Sequence, residues 1–162
     1  MTQPAPHRST QPRAQRAFPD AFIGKWKTEG QQYDSAIGAA APISATETYE
    51  WLTGGKFLIH RFEGRVGDAD AACIEMLGLE ESGQRYAVHT FYNNGTTRRW
   101  RGEDRDGVWL LTGEWPVSGR SQKIRCVIAP LDARNTMKAK WEYSMDGAKW
   151  HLFWDLTATR LE

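Results

Sequence analysis

The stretch from residue 137 to residue 144, MKAKWEYS, decides the fold class through the alternation of its side chains. Apolar or aromatic residues occupy every second position, and charged or polar residues fill the positions between them, so the two sets point to opposite sides of an extended chain. The same period of two recurs in KWHLFWDLTATR at residues 149–160. Each stretch is therefore predicted to be a β-strand with one face toward a core or a cavity.

Short runs of this type, separated by turn residues, continue along the chain from Phe22. Gly or Asn stands where a tight turn needs a positive φ, and the Asp-Gly pairs at 106–107 and 146–147 are the strongest hairpin signals. Strands are predicted near 23–31, 43–52, 56–65, 72–80, 85–92, 97–104, 107–115, 120–129, 135–144 and 148–160. About ten antiparallel strands with short turns favour an all-β, closed up-and-down barrel, which has no free sheet edge. A two-sheet sandwich is the alternative.

The segments on either side of the first predicted strand are less regular. FPDAFIG (18–24) predicts a short helical turn, and QYDSAIGAAAP (32–42) predicts a loop or one helical turn that could act as a lid. Residues 1–19 contain four prolines and three arginines but no acid, and they have little to bury, so a disordered tail is expected. The predicted organisation is a tail at 1–19 and a single barrel domain at 20–162.

Composition excludes several classes of function. The formal charge of the 162-residue chain is +1, which gives no electrostatic basis for binding nucleic acid or an anionic membrane. No apolar run approaches the ~18 residues of a membrane span. The two cysteines, Cys73 and Cys126, form no CxxC pair, and no zinc-type spacing occurs. We therefore predict free thiols, no metal site and a cytoplasmic location.

The ends of the barrel segment carry a recognisable pattern. IGKWKTEG (23–30) contains Gly24-x-Trp26, and Arg160 ends the last predicted strand. The chain resembles the calycin superfamily of lipocalins and fatty-acid-binding proteins, and it is most similar, over 20–162, to small bacterial lipocalin-like domains of unknown function. The resemblance implies that the arginine packs on the indole by cation–π contact and closes the barrel bottom.

A more distant resemblance is to nitrobindin, a ten-stranded haem barrel, through Gly24, Trp26 and Gly30 of GKWKTEG. It implies a haem iron held by a histidine of the last strand, for which His151 is the candidate in this chain. The alternation places His151 on the face opposite Trp154, toward solvent. We therefore predict no cofactor, with haem disfavoured.

Several polar side chains are candidates for the barrel interior. His60, in GGKFLIHRFEG (54–64), lies on the strand face without full charges, and Glu75 shares a face with apolar residues and needs a histidine or arginine partner. His89 lies on a strand with two plausible interior faces, so its orientation stays open. Arg98 is an interior candidate, since arginines inside calycin-type barrels commonly bind a carboxylate ligand.

These residues and the aromatic faces lead to a functional hypothesis. The predicted ligand-binding set is His60, Glu75, His89, Arg98, Trp100, Trp141, Tyr143 and Trp154. The predicted function is binding of a small, partly hydrophobic molecule inside the barrel. One alternative is a small cofactor-independent enzyme of the isomerase or cyclase type, and a second is a haem protein. A homodimer is also considered, because Phe153 is predicted to lie on the outer face.

Overall fold

The computed structural model describes residues 19–129, 132 and 135–161. A helical turn at residues 19–22 precedes ten strands. Their bounds are β1 Gly24–Gln32, β2 Ala41–Trp51, β3 Phe57–Val66, β4 Ala69–Leu79, β5 Tyr86–Tyr92, β6 Thr97–Arg105, β7 Val108–Val117, β8 Arg120–Ile128, β9 Thr136–Ser144 and β10 His151–Arg160. Each strand pairs antiparallel with the next, and β10 pairs with β1 to close the barrel. The predicted up-and-down barrel is confirmed, and the sandwich alternative is wrong.

The connections follow the turn residues of the sequence. At the β6–β7 hairpin, Asp106 and Gly107 have φ values of 54° and 84°, the positive pair that a type I′ turn requires. The helical turn predicted before β1 is present at residues 19–22. Between β1 and β2 the chain forms a loop at residues 33–40 without a helical turn. The predicted tail lies outside the described residues, apart from Pro19.

One end of the barrel is closed by the first and last strands together with the helical turn. Trp26 is 0% exposed, and its indole N–H donates a 2.7 Å hydrogen bond to the carbonyl of Phe22. The Arg160 guanidinium lies 4.2 Å from the centre of the Trp26 ring and donates to the carbonyls of Ile23 and Ala21. The arginine therefore joins β10 to the turn before β1 and covers the indole, which is the contact that the resemblance implied.

The last strand departs from strict alternation. The β9–β10 register shifts between Leu152 and Trp154, so one extra residue is accommodated at this point. Phe153 is consequently 0% exposed, and the prediction that it faces outward is wrong. His151 is exposed, as predicted. It is the first residue of β10 and pairs with Tyr143, before the register shift that turns Phe153 inward. No helix in the described part of the chain is long and apolar enough to cross a membrane.

Candidate functional site

The barrel encloses a cavity of about 570 Å³ in the half away from the helical turn. Its mouth is bounded by Ile37 of the β1–β2 loop, by Asp70 at the beginning of β4 and by Asn93 and Asn94 of the β5–β6 turn. Most of the wall is apolar or aromatic. The wall side chains include Phe62, Leu111, Trp115, Ile128, Met137, Trp141, Phe153, Trp154 and Leu156.

A buried histidine held between two carboxylates forms part of this wall. Nδ1 of His60, on β3, lies 2.8 Å from Oε2 of Glu75 on β4, and Nε2 lies 2.7 Å from Oε2 of Glu47 on β2. Glu47, His60 and Glu75 are 7%, 7% and 9% exposed. We call these three residues the acid–histidine cluster. Because His60 and Glu75 are register partners in the β3–β4 ladder, the backbone pairing itself holds these two side chains on the same inward face.

A second layer of hydroxyl donors surrounds the cluster. The Thr28 hydroxyl donates to Oε1 of Glu47 at 2.5 Å, and the Tyr49 hydroxyl donates to Oε2 of the same carboxylate at 3.0 Å. The Tyr49 ring also stacks on the His60 imidazole, with the ring centroids 4.1 Å apart and the planes 3° from parallel. These contacts fix the imidazole in position and orient Glu47.

The other carboxylate is held by a short chain of donors. The Thr90 hydroxyl donates to Oε1 of Glu75 at 2.8 Å, and the indole N–H of Trp100 donates to the Thr90 hydroxyl at 2.9 Å. Both Thr90 and Trp100 are buried. Each carboxylate therefore accepts hydrogen bonds from the imidazole and from at least one hydroxyl, which offsets the cost of burying the charge.

The cluster is charged at neutral pH. Burial lowers the pKa of His60, but the hydrogen bonds and charges of Glu47 and Glu75 outweigh burial and raise it to about 9. Burial raises the pKa of Glu47, but the hydrogen bond and charge of His60, together with the hydroxyl bonds, lower it overall. Two carboxylates and one imidazolium leave a net charge of −1.

Neighbouring acidic groups respond to this negative charge. Burial raises the pKa of the Tyr49 hydroxyl, and the charges of Glu47 and Glu75 raise it further. Burial and the same two carboxylates also raise the pKa of the thiols of Cys73 and Cys126, which are free cysteines. All three groups line the cavity and stay protonated at neutral pH. The electrostatic potential in this part of the cavity is therefore negative.

The protonation of His60 predicts a pH dependence of stability. Its folded-state pKa of about 9 exceeds the unfolded value of 6.5, so its contribution is complete below pH 6.5 and is lost as the pH rises through 9. The loss should amount to about 3 kcal/mol of unfolding free energy. Urea unfolding at pH 6, 7.5 and 9.5 measures it, and a His89→Ala variant should show the same loss. An unchanged unfolding midpoint across this range would contradict the charged imidazole.

The structure brings part of the predicted ligand-binding set into the cavity wall. His60, Glu75, Trp141 and Trp154 line the cavity, and the Trp154 indole N–H donates to Oε1 of Gln32 at 2.7 Å. The histidine or arginine partner that was predicted for Glu75 is His60, whose Nδ1 lies 2.8 Å from Oε2 of Glu75. These residues come from β3, β4, β9 and β10.

The other members of the predicted set lie elsewhere. Trp100 is buried and acts on the cluster through Thr90, while Tyr143 stacks on His151 with the ring centroids 5.3 Å apart. The Arg98 guanidinium lies 5.3 Å from the centre of the Trp115 ring, and Arg98 is outside the cavity lining. His89 is exposed on the outer face of β5. The structure therefore does not bring His89, Arg98 or Tyr143 to the cavity wall.

Four polar residues of the site are absent from the predicted set: Thr28, Glu47, Tyr49 and Thr90. Sequence spacing contains a signal for Glu47, because it lies two and four residues after Ala45 and Ile43, which both face the core. Thr28 similarly follows Trp26 by two residues. The period of two carries this information, but the polar character of these side chains suggested no inward orientation.

Among the histidines of the described ranges, only His60 lines the cavity. Both ring nitrogens of His60 are bonded to carboxylates, and the other two histidines in the described ranges, His89 and His151, are exposed. Within the same ranges, no group of three or more His, Cys, Asp or Glu side chains is arranged to hold a metal ion.

A comparison with known families gives a match that covers all ten strands of the barrel. Residues 11–160 match the family described as Protein of unknown function (DUF1579). The chain belongs to this family. A search of curated proteins finds no match to this DUF1579 member. The family description names no activity, so a function must be inferred from the cavity.

Proposed function

We propose that this DUF1579 member binds a small, largely apolar molecule inside the barrel, with the polar end of the molecule on the acid–histidine cluster. The observation that carries the proposal is a cavity of about 570 Å³ with apolar walls and one buried charged cluster. Ligand sites in proteins are typically concavities of about 300–1,000 Å³, mostly apolar, with a few fixed polar groups.

The cluster itself favours a binding role over a purely structural one. Apolar side chains of similar volume would stabilise a barrel interior as well as or better than a buried ion pair, because charges are costly to remove from water. In this barrel the charged cluster lines the cavity, and its carboxylates are held in place by hydrogen bonds from Thr28, Tyr49 and Thr90. Polar groups fixed in this way before binding lose little entropy when a ligand arrives.

The aromatic wall is also fixed in advance. The Trp154 indole is held by Gln32, and its ring meets Trp141 edge to face with centroids 6.2 Å apart. Trp141 in turn contacts Trp100 at 5.5 Å and Phe153 at 6.3 Å. These edge-to-face and tilted ring contacts give each ring a defined position in the wall.

A cofactor-independent enzyme of the isomerase or cyclase type is less well supported. General acid–base catalysis requires a group within hydrogen-bond reach of the substrate proton. Both imidazole nitrogens of His60 are engaged by carboxylates at 2.7 and 2.8 Å, so the ring would have to break one of these bonds to act. Binding requires no such rearrangement.

Native mass spectrometry of the freshly purified protein tests the proposal. We expect a bound mass that organic extraction removes, together with its absorbance in a scan of the same sample. Ala71→Trp should abolish the bound mass, because Ala71 lines the cavity and an indole there would fill part of it. Ile74→Trp, on the outer face of the same strand, is the matched control and should retain it.

Two outcomes would overturn the proposal. One is a bound mass that is equally present in the Ala71→Trp variant, because the ligand would then lie outside the cavity. The other is a wild-type protein that carries no bound mass and that also fails to bind any member of a library of small aromatic compounds. The indole N–H signals of Trp115, Trp141 and Trp154 would report such binding.

A further inference from the structure

We infer that the ligand is a small organic cation, which presents a positively charged hydrogen-bond donor to the acid–histidine cluster and an apolar body to the aromatic wall. This inference rests on the proposed function and names the chemical class of the ligand. Three features of the cavity carry it: the unused hydrogen-bond acceptors of the cluster, the charge of the lining residues and the aromatic composition of the wall.

At the acid–histidine cluster, every hydroxyl and imidazole donor is already used, but some carboxylate acceptor positions are not. Both N–H groups of the His60 imidazolium and the hydroxyls of Thr28 and Tyr49 already donate to the carboxylates. An ionised carboxylate offers about four acceptor positions. Among the described residues, Glu47 accepts three hydrogen bonds and Glu75 accepts two. A ligand at the cluster therefore meets acceptors, and a donor group satisfies them.

The charge of the cluster also favours a cationic ligand, because it is negative. The cluster carries a net charge of −1. At the mouth, the Asp70 carboxylate is paired with the Arg65 guanidinium at 3.7 Å, so this pair adds no net charge. Among the described lining residues none is a lysine or an arginine. Arg98 shares the inward face of β6 with Trp100, its guanidinium lies 5.3 Å from the centre of the Trp115 ring, and its buried Nε has no hydrogen-bond partner among the described residues, but it is not part of the lining. At the acid–histidine cluster, an anionic ligand would lose its hydration without gaining a cationic partner, whereas a cation would neutralise the cluster.

The wall suits a cation that carries an apolar substituent. Trp115, Trp141 and Trp154 line the same cavity as the cluster, whereas the Tyr49 ring is already stacked on His60 and Phe22. The faces of tryptophan and tyrosine rings attract cations, and the attraction strengthens when water is excluded. The rings also provide the apolar area that holds an aryl or alkyl body. A neutral donor of the same shape would gain the apolar contacts without the electrostatic ones.

Three probes of nearly equal size separate charge from shape: 2-phenylethylamine, which is cationic at pH 7, 2-phenylethanol, which is neutral, and 3-phenylpropionate, which is anionic. Dissociation constants come from calorimetry or from the indole N–H shifts of Trp141 and Trp154. We expect the amine to bind at least about tenfold more tightly than the alcohol, a difference of about 1.4 kcal/mol, and the carboxylate to bind most weakly.

The double variant Glu47→Gln/Glu75→Gln removes both carboxylate charges while keeping the size of the side chains. It should lose the preference for the amine over the alcohol and retain binding of the alcohol. If this variant fails to fold, the order of the three probes on the wild-type protein decides the question alone.

The outcomes separate the inference from the function on which it rests. Equal affinities for the three probes, with binding abolished by Ala71→Trp, would overturn the cationic ligand and support the proposed binding function. Tightest binding of 3-phenylpropionate would also overturn the inference. Binding of none of the probes overturns it too, and the proposed function is then decided by the mass spectrum.

Discussion

His60→Ala is expected to lower the free energy of unfolding by about 3–5 kcal/mol at pH 7, because it removes the cation between two buried carboxylates. Glu47 and Glu75 would then face each other across a small void, and one of them would have to be protonated. Urea-induced unfolding followed by tryptophan fluorescence measures the change.

His89→Ala is the matched control for this prediction. His89 is exposed on the outer face of β5, so its replacement should change the unfolding free energy by no more than about 0.5 kcal/mol. Adding Glu47→Gln and Glu75→Gln to His60→Ala should recover part of the lost stability, because the uncompensated charges are removed. A loss below about 1 kcal/mol for His60→Ala alone would show that the carboxylates do not depend on the imidazolium.

Trp26→Ala is expected to destabilise the protein by a similar amount, about 3–5 kcal/mol. The indole is 0% exposed, its N–H is bonded to the carbonyl of Phe22, and its face is covered by Arg160. Alanine would leave a cavity at the closed end of the barrel and would remove the surface on which the guanidinium lies. The same urea experiment measures the effect.

Trp150→Ala provides a comparison in which an arginine also covers an indole. The Arg125 guanidinium lies 4.1 Å from the centre of the Trp150 ring, but this tryptophan is only half-buried. The expected loss is about 1 kcal/mol, from a partly exposed cation–π contact and modest packing. Equal losses for the two variants would contradict the view that Trp26 closes the barrel core.

The strands of the barrel could be predicted because their signals are local. Turn residues such as the Asp106–Gly107 pair mark the hairpins, and the alternation in β9 persists over the whole strand. The bulge in β10 could not be predicted in this way. One inserted residue changes the face of every residue on one side of it, and Leu152, Phe153 and Trp154 are all large and apolar.

The site was only partly predictable for a related reason. His60 and Glu75 stand on strands whose inward faces are apolar, so their orientation follows from their neighbours. Glu47 lies on β2 between Ala45 and Tyr49 on an otherwise apolar or aromatic face, so the alternation indicates its inward orientation, but its charge argued against a place in the interior. On β5 apolar residues occupy both faces, and Phe91 is 53% exposed on the same outer face as His89. Composition therefore could not choose the inward face of β5.

The most direct test of ligand binding is a crystal structure of the freshly purified protein at a resolution that separates ordered water from a bound molecule. We predict continuous density for a non-water molecule between the aromatic wall and the acid–histidine cluster, with a donor atom within hydrogen-bond distance of Glu47 or Glu75. A cavity that holds only ordered water, or that is closed by Trp141 and Trp154 turned inward, would contradict the proposed function.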